Sequence, residues 1–218
     1  MNPILSILIC TITGREGYLA RALGELMESY KTISETVIGG KTHILLSCHG
    51  AHVEILVNKD GKQMSVGNKR QILLNDSEGE WIVYFDDDDK PYHGYIRKII
   101  EAIRKNPNAD CLGIHGDMTT NGQNPQTWIH SLKYRKWDSN KDGYNWVRPP
   151  IHFNPVKRIH AIKTGFKDLR FAEDHDYSMR LRPLLRVETF VQEKLFHYQY
   201  QNKTPHKEKY GISKMRSN

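Results

Sequence analysis

The sequence predicts one α/β domain of Rossmann-like type, with a mainly parallel central sheet flanked by helices and a smaller region following it. Three observations carry the prediction. Short apolar runs alternate with helix-period stripes through the first half of the chain, the order that builds a parallel sheet covered by helices. At 218 residues, with 38% hydrophobic and 26% charged residues, the chain can bury a core without a disulfide or structural metal. Polar residues cluster just after three of the apolar runs, and open α/β sheets bind ligands at the carboxyl ends of their strands.

Taken in order, residues 6–10 (SILIC) form a short buried strand, and Leu19, Leu23, Leu26 and Met27 repeat as one helix stripe. Residues 31–52 stay unassigned, because Gly39-Gly40 marks a break while Ile44, Leu45 and Leu46 suit either strand or helix. Residues 53–57 are a second strand, closed by the Asp60-Gly61 turn signal. A helix spans about 66–77, with Gly79 as its stop. A third strand covers 81–85, and a helix with Ile96, Ile99, Ile100 and Ile103 on one face follows over about 92–105. Residues 109–114 are a fourth strand. From about 119 to 150 the chain is polar and carries Trp128, Trp137 and Trp146 before Pro149-Pro150, the composition of a long excursion or of irregular strands. Helices are expected after Pro155 and from Phe171 to Leu181, and closing strands at 187–191 and 195–200.

Several classes are disfavoured. Cys10, Cys48 and Cys111 are odd in number and form no C-x-x-C pair, which argues against a disulfide framework or thiolate zinc site and for a reducing compartment, the cytoplasm. The apolar run at 4–12 is too short to span a bilayer and lacks the flanks of a signal peptide. A net charge of +7 suits an anionic partner, but no nucleic-acid-reading motif is present and the expected ligand edge is acidic, so no nucleic acid partner is expected. Basic residues concentrate at 203–218, where Lys203, Lys207, Lys209, Lys214 and Arg216 face Glu208 alone. That tail reads as a surface arm or as a peripheral contact with the inner face of a membrane.

The stretch 81–92, WIVYFDDDDKPY, sets an apolar run directly against Asp86, Asp87, Asp88 and Asp89. Adjacent carboxylates repel one another unless a cation or solvent offsets the charge. Oxygen-only donors suit Mg²⁺ or Mn²⁺, which commonly bridge protein carboxylates to substrate phosphates. An EF-hand loop fails, because Pro91 and Arg97 stand where Gly and Glu are required. A phosphate loop ending at Gly40-Lys41-Thr42 fails too, since Glu35 occupies its first glycine. A solvated acidic turn is the simpler alternative. His197, in a closing strand, is a candidate metal ligand among the histidines. A second acidic cluster, Glu173, Asp174 and Asp176, opens a predicted helix, where acidic residues also simply complement the helix dipole.

Together these pieces resemble the family 2 glycosyltransferases of GT-A fold, over roughly residues 4 to 200. Residues 6–11 look like the family's first strand, with Cys10 where proline is usual; 53–61 resemble its second strand and acidic turn. Gly67-Asn-Lys-Arg70 and the run from Gly79 to Asp89 are similar to the segment ending in its D-x-D motif, and Gly165-Phe166 with Glu173-Asp174 resembles its later E-D motif. The resemblance implies a glycosyltransferase domain over 1–202, with a nucleotide-sugar-binding half at about 1–115 and an acceptor and catalytic half at about 116–202.

It implies a UDP-, GDP- or dTDP-linked sugar donor near Thr11, Arg15 and Asp60, with Lys69 or Arg70 close by. Asp86 would face ribose or metal, Asp88 would bind Mn²⁺ or Mg²⁺ with Asp89 as a lesser contributor, and Asp87, the variable middle of D-x-D, would be replaceable. Asp174 would be the general base of an inverting hexosyl transfer to a glycan, lipid-linked or protein acceptor. Glu173 would orient Asp174 or touch the acceptor, and Asp176 would be structural. Trp128 and Trp146 are weighed as acceptor contacts against ordinary core packing. Gln201 stands where the family often has a histidine, which weakens any third metal ligand. A non-catalytic binding module on the same fold is the rival reading.

Overall fold

The computed structural model describes residues 2–28 and 30–201; the basic tail at 203–218 lies outside the described residues. The chain opens with β1 (Leu5–Ile12) and α1 (Glu16–Met27), then runs through β2 (Lys31–Ile38), β3 (Lys41–Cys48) and β4 (Ala51–Asp60) to α2 (Val66–Asp76). It continues as β5 (Trp81–Tyr84), β6 (Lys90–Pro91), α3 (Tyr95–Lys105), β7 (Cys111–Thr120), β8 (Gln123–His130), β9 (Asp138–Lys141) and β10 (Tyr144–Arg148). β11 (Val156–Lys157), α4 (Arg158–Thr164), α5 (Glu173–Leu181), β12 (Glu188–Phe190) and β13 (Phe196–Tyr200) complete it.

β1 is the centre. It pairs in parallel with β4 on one side, Leu5 opposite Val53, and with β5 on the other, Leu5 opposite Trp81. Buried on both faces, these strands are apolar at nearly every position, and their two-residue side-chain period divides the residues between two cores. Ile7, Ile9, Trp81, Val83 and Phe85 join Leu26, Ile96, Ile99 and Ile100 on the side of α1 and α3. Leu8, Ile82 and Tyr84 join Leu73, Leu74, Tyr177 and Leu181 on the side of α2 and α5.

The sheet order is β2-β3-β4-β1-β5-β11-β7-β8-β10-β9, with β12 and β13 also paired to β7. It is therefore mixed: β4-β1-β5 is parallel, as are the pairings of β10 with β8 and of β12 and β13 with β7, while β2-β3-β4 is an antiparallel meander and β7-β8 an antiparallel hairpin. The meander fills the unassigned segment 31–52. Gly39 and Gly40, with φ of 58° and 78°, form the two-residue turn whose left-handed residues match the twist of a hairpin, so the apparent break is a strand connection. Asn121 and Gly122, with φ of 51° and 74°, do the same between β7 and β8.

This topology sets the position of the site. Because β1, β4 and β5 are parallel and in register, Thr11, Asp60 and the acidic run after Tyr84 emerge at one sheet edge. β7, β8, β10 and β13 extend the sheet beyond that edge, carrying the segment rich in tryptophan alongside it.

Candidate active site

A cavity of about 570 Å³ opens at this edge, lined by Thr11, Arg15, Lys69, Arg70 and Asp86 to Asp88 from the first half of the chain, and by Trp128, Trp146, Glu173 and Asp174 from the second. The structure thus brings together most of the residues the sequence singled out, and it shows how four adjacent carboxylates coexist. Cations interleave with them. Arg15 Nη2 lies 2.7 Å from Asp87 Oδ1 and 2.5 Å from Asp88 Oδ2. Arg70, only 4% exposed, reaches Asp86 at 3.2 Å and Glu173 at 2.5 Å, and sits 3.0 Å from His152 Nε2. One guanidinium therefore ties the strand-end cluster to the cluster at the start of α5.

These contacts set the titration of the acids. Burial pushes the Asp86 carboxyl up, but Arg70 and His152 outweigh it and hold it well below the usual range. For Glu173 burial prevails over Arg70, and its carboxyl is raised. Asp174 lines the cavity beside it and accepts the His175 amide at 2.7 Å. Ala172, immediately before, has φ 58°, a left-handed conformation that alanine adopts only under constraint, and it fixes the angle at which α5 presents both acids. Asp176 is not part of the cavity wall and pairs with Lys167 at 2.6 Å and Arg180 at 2.5 Å.

On the wall formed by the end of β1 and by α2, Thr11 is held by its own partners. Its hydroxyl donates to Asp87 Oδ2 at 2.6 Å, and its carbonyl accepts from Lys69 Nζ at 2.9 Å. Lys69 also pairs with Asp60 at 2.7 Å; Asp60 lies behind it and is not part of the cavity wall. Burial raises the Asp60 carboxyl, but Lys69 and the Met64 amide pull it below the usual range. The Gly67-Asn-Lys-Arg70 segment is locked from the other side. A Cβ at Gly67 would lie 2.1 Å from the Lys167 carbonyl oxygen, so glycine alone lets the start of α2 approach the loop leading to α5.

Two expectations are corrected. Asp87 is not the spare carboxylate: it is 2% exposed and anchored by Thr11 and Arg15, whereas its neighbours Asp86 and Asp88 are about a third exposed. His197 does not join the metal candidates. Its neighbours Phe196 and Tyr198 line the cavity, so strand alternation turns His197 to the other face, where Nε2 is 2.8 Å from Thr119 Oγ1. Asp89 sits behind the wall, 1% exposed, accepting the Gln199 amide at 3.1 Å.

Burial, then the charge of Asp86, raises Asp89 far above an ordinary carboxyl. An acid with a raised folded-state pKa binds its proton more tightly when folded, so it favours the folded state at low pH and loses that contribution as pH rises. Asp89→Asn is accordingly expected to raise the melting temperature more at pH 8 than at pH 4. A pH-independent or negative shift across that range would refute the buried, protonated acid.

Trp128, His130, Trp146 and Arg148 lie on β8 and β10, whose parallel register sets Trp146 beside Trp128 and Arg148 beside His130. Trp128 is 4% exposed, donates from Nε1 to the Asp117 carbonyl at 2.9 Å and packs 4.7 Å from Phe196. Trp146 is half-buried and donates to Gln126 at 2.7 Å. Both belong to or pack against the core, and both line the cavity. His130, Arg148, His152, Arg170 and Tyr198 also line it and were not singled out from the sequence. Burial lowers both His130 and His152 below the usual imidazole range.

The donor chemistry fits a hard divalent cation: Asp86 and Asp88 present oxygen atoms to the cavity beside the positive charges that would accompany phosphates. Among the described residues no group of three metal-ligating side chains converges, so substrate oxygens and water would complete the shell, as they commonly do for Mg²⁺.

The model of the family described as "Glycosyl transferase family 2" matches residues 51–170, more than half the chain. No curated protein sequence matches it. Among solved structures, S. aureus TarS 1–349 in complex with UDP superposes with a TM-score of 0.60 at 13% identity, over 89% of this chain and 60% of that one. The complex with UDP-GlcNAc gives 0.60 at 13% identity over 89% and 58%, and another crystal structure of S. aureus TarS gives 0.58 at 12% over 89% and 36%. The chain thus spans about three-fifths or less of the structures it resembles, and at that identity the likeness is one of fold, the GT-A fold.

Proposed function

The chain belongs to glycosyl transferase family 2, and on that premise we propose that it moves a sugar from a nucleotide-sugar donor to an acceptor hydroxyl with inversion at the anomeric carbon. The observation that carries this reading is the bridge made by Arg70, which joins the strand-end carboxylates to the Glu173-Asp174 pair across one cavity. One cluster suits a donor diphosphate and its counterion, the other an acceptor proton.

Asp174 accepts the proton of the acceptor hydroxyl as its oxygen attacks the anomeric carbon and the nucleoside diphosphate departs from the opposite face. One bond forms as the other breaks, so the configuration inverts. Such base catalysis contributes about 10²- to 10⁴-fold, and the rest comes from positioning. Arg70 fixes Glu173, and with it the start of α5, while Arg15 and Lys69 place positive charge on the donor wall. Asp88, with Asp86, would hold Mn²⁺ or Mg²⁺, which when bound stabilises negative charge on the leaving diphosphate. Trp128 and Trp146 offer faces for an acceptor sugar. UDP is the first nucleotide to test, since TarS structures contain UDP and UDP-GlcNAc; GDP and dTDP follow. The acceptor is a glycan, lipid-linked or protein hydroxyl. The three free cysteines suit a reducing compartment, and we place the activity in the cytoplasm. No helix among the described residues is long and apolar enough to cross a membrane.

With water standing in for the acceptor, slow Mn²⁺-dependent hydrolysis of one of these donors is expected. Proton NMR should show the released sugar first in the inverted configuration. A first product with retained configuration would rule out the single displacement.

A further inference from the structure

Of the cations that line the cavity, four are already engaged: Arg15 by Asp87 and Asp88, Lys69 by Asp60, Arg70 by Asp86 and Glu173, and Arg170 by the carbonyls of Lys62 and Gln63. Arg148 differs. No group among the described residues accepts a hydrogen bond from its guanidinium or forms an ion pair with it, although the residue is half-buried and lines the cavity. What holds it is a ring: its guanidinium carbon lies 3.9 Å from the centroid of Trp137, whose other neighbour is His175 at 5.1 Å. Burial works against its charge, and Asp174 supplies only a through-space attraction. A guanidinium carries five donors in a planar fork that matches a carboxylate or phosphate, and none of the Arg148 nitrogens is fully buried, so the fork is open to an incoming anion.

We propose that Arg148 is an anion receptor on the acceptor side of the site, and that the acceptor carries a carboxylate or phosphate group that docks there while its sugar rests on Trp128 and Trp146. The assignment to acceptor rather than donor follows from the fold. Arg148 stands on β10 in the same row as Trp146, beside His130, and within electrostatic reach of Asp174, whereas the donor-wall cations belong to the segments next to β1 and to α2. Stacking on Trp137 fixes the fork without consuming its donors, which pre-organises it for a bidentate anion. The inference rests on the transferase reading for the word acceptor; the anion site itself does not.

Side-chain NMR on the full chain tests both separately. UDP with diamagnetic Mg²⁺ is titrated first, then inorganic phosphate, D-glucuronate and, as a neutral control, D-glucose are titrated into the UDP-loaded protein. The Arg148 Nε and Trp146 indole signals are expected to move with phosphate or glucuronate and not with glucose at equal concentration; which anion acts distinguishes a phosphorylated from a carboxylated acceptor. Arg148→Gln should weaken the effective anion roughly ten- to hundred-fold, Arg148→Lys by less, and both should keep the wild-type UDP affinity and a cooperative melting transition, lowered only by loss of the Trp137 stack. Anion binding unchanged in Arg148→Gln, equal responses to glucose and the anions, or competition between the anions and UDP would each overturn the proposal. Absence of UDP binding by the wild type would instead overturn the transferase reading, with the anion titration still judging Arg148.

Discussion

Asp174→Asn is expected to lower donor hydrolysis, and transfer once an acceptor is known, by about 10²- to 10⁴-fold while leaving nucleotide binding unchanged. The amide keeps the shape of the carboxylate and can still accept the His175 amide, so the loss isolates proton acceptance from folding. The neighbouring acid makes a useful contrast. Glu173 is buried and engaged by Arg70, so Glu173→Gln should disturb the position of α5 and change stability as well as rate. Parallel measurement of initial rates and nucleotide affinity separates the two. A hydrolysis rate in Asp174→Asn equal to the wild type would remove Asp174 from its role as base.

Arg70→Met should be the most damaging single change to the fold at the site. It leaves Glu173 as a buried acid without its cation and releases Asp86 and His152, and losing one partner of a buried ion pair costs about 3–5 kcal/mol. The effect carries a pH signature. Asp86 has a folded-state pKa depressed by Arg70, so it contributes stability above its unfolded pKa and loses that contribution as pH falls through the folded value. The stability gap between wild type and Arg70→Met should therefore be widest near neutrality and narrow towards acid. Arg70→Lys should fall between, because one ammonium cannot fork to both acids. Chemical denaturation from pH 4 to 8 checks this; a gap under about 1 kcal/mol at every pH, the size of an exposed pair, would show that Arg70 is not the link.

Local patterns made much of the framework legible, and long-range pairing hid the rest. β1, β5 and α3 announce themselves because burial on both faces of a strand, or one face of a helix, forces apolar residues into a fixed period. β2 gives no such signal: all eight of its residues are exposed, so an edge strand reads as polar loop. The Gly39-Gly40 turn was visible, but without a flanking alternation it looked like a break rather than a hairpin. The acidic residues were legible as two clusters, and Asp86, Asp88, Glu173 and Asp174 do meet one cavity. What joins them was not. Arg70 and Glu173 are 103 positions apart, and nothing local marks either as the other's partner. Asp87 was misjudged for the same reason, since its burial depends on Thr11 and Arg15 from the first strand and the turn after it. His197 shows the reverse error: residue type suggested a ligand, and strand alternation turned it away. Arg148 stood next to Pro149 in a segment read as an excursion, and its significance lies in having no hydrogen-bond or ion-pair partner among the described residues, which no sequence displays.

Every proposed catalytic role in the cavity depends on donor binding. Calorimetric titration of UDP, and then of UDP-, GDP- and dTDP-sugars, into the protein with and without Mn²⁺ should show binding of one nucleotide that strengthens with the ion, and Asp88→Asn should weaken it at least about ten-fold, the scale of one charge-assisted contact. No binding of any of these ligands by the wild type in the presence of Mn²⁺, or an identical affinity in Asp88→Asn, would contradict it.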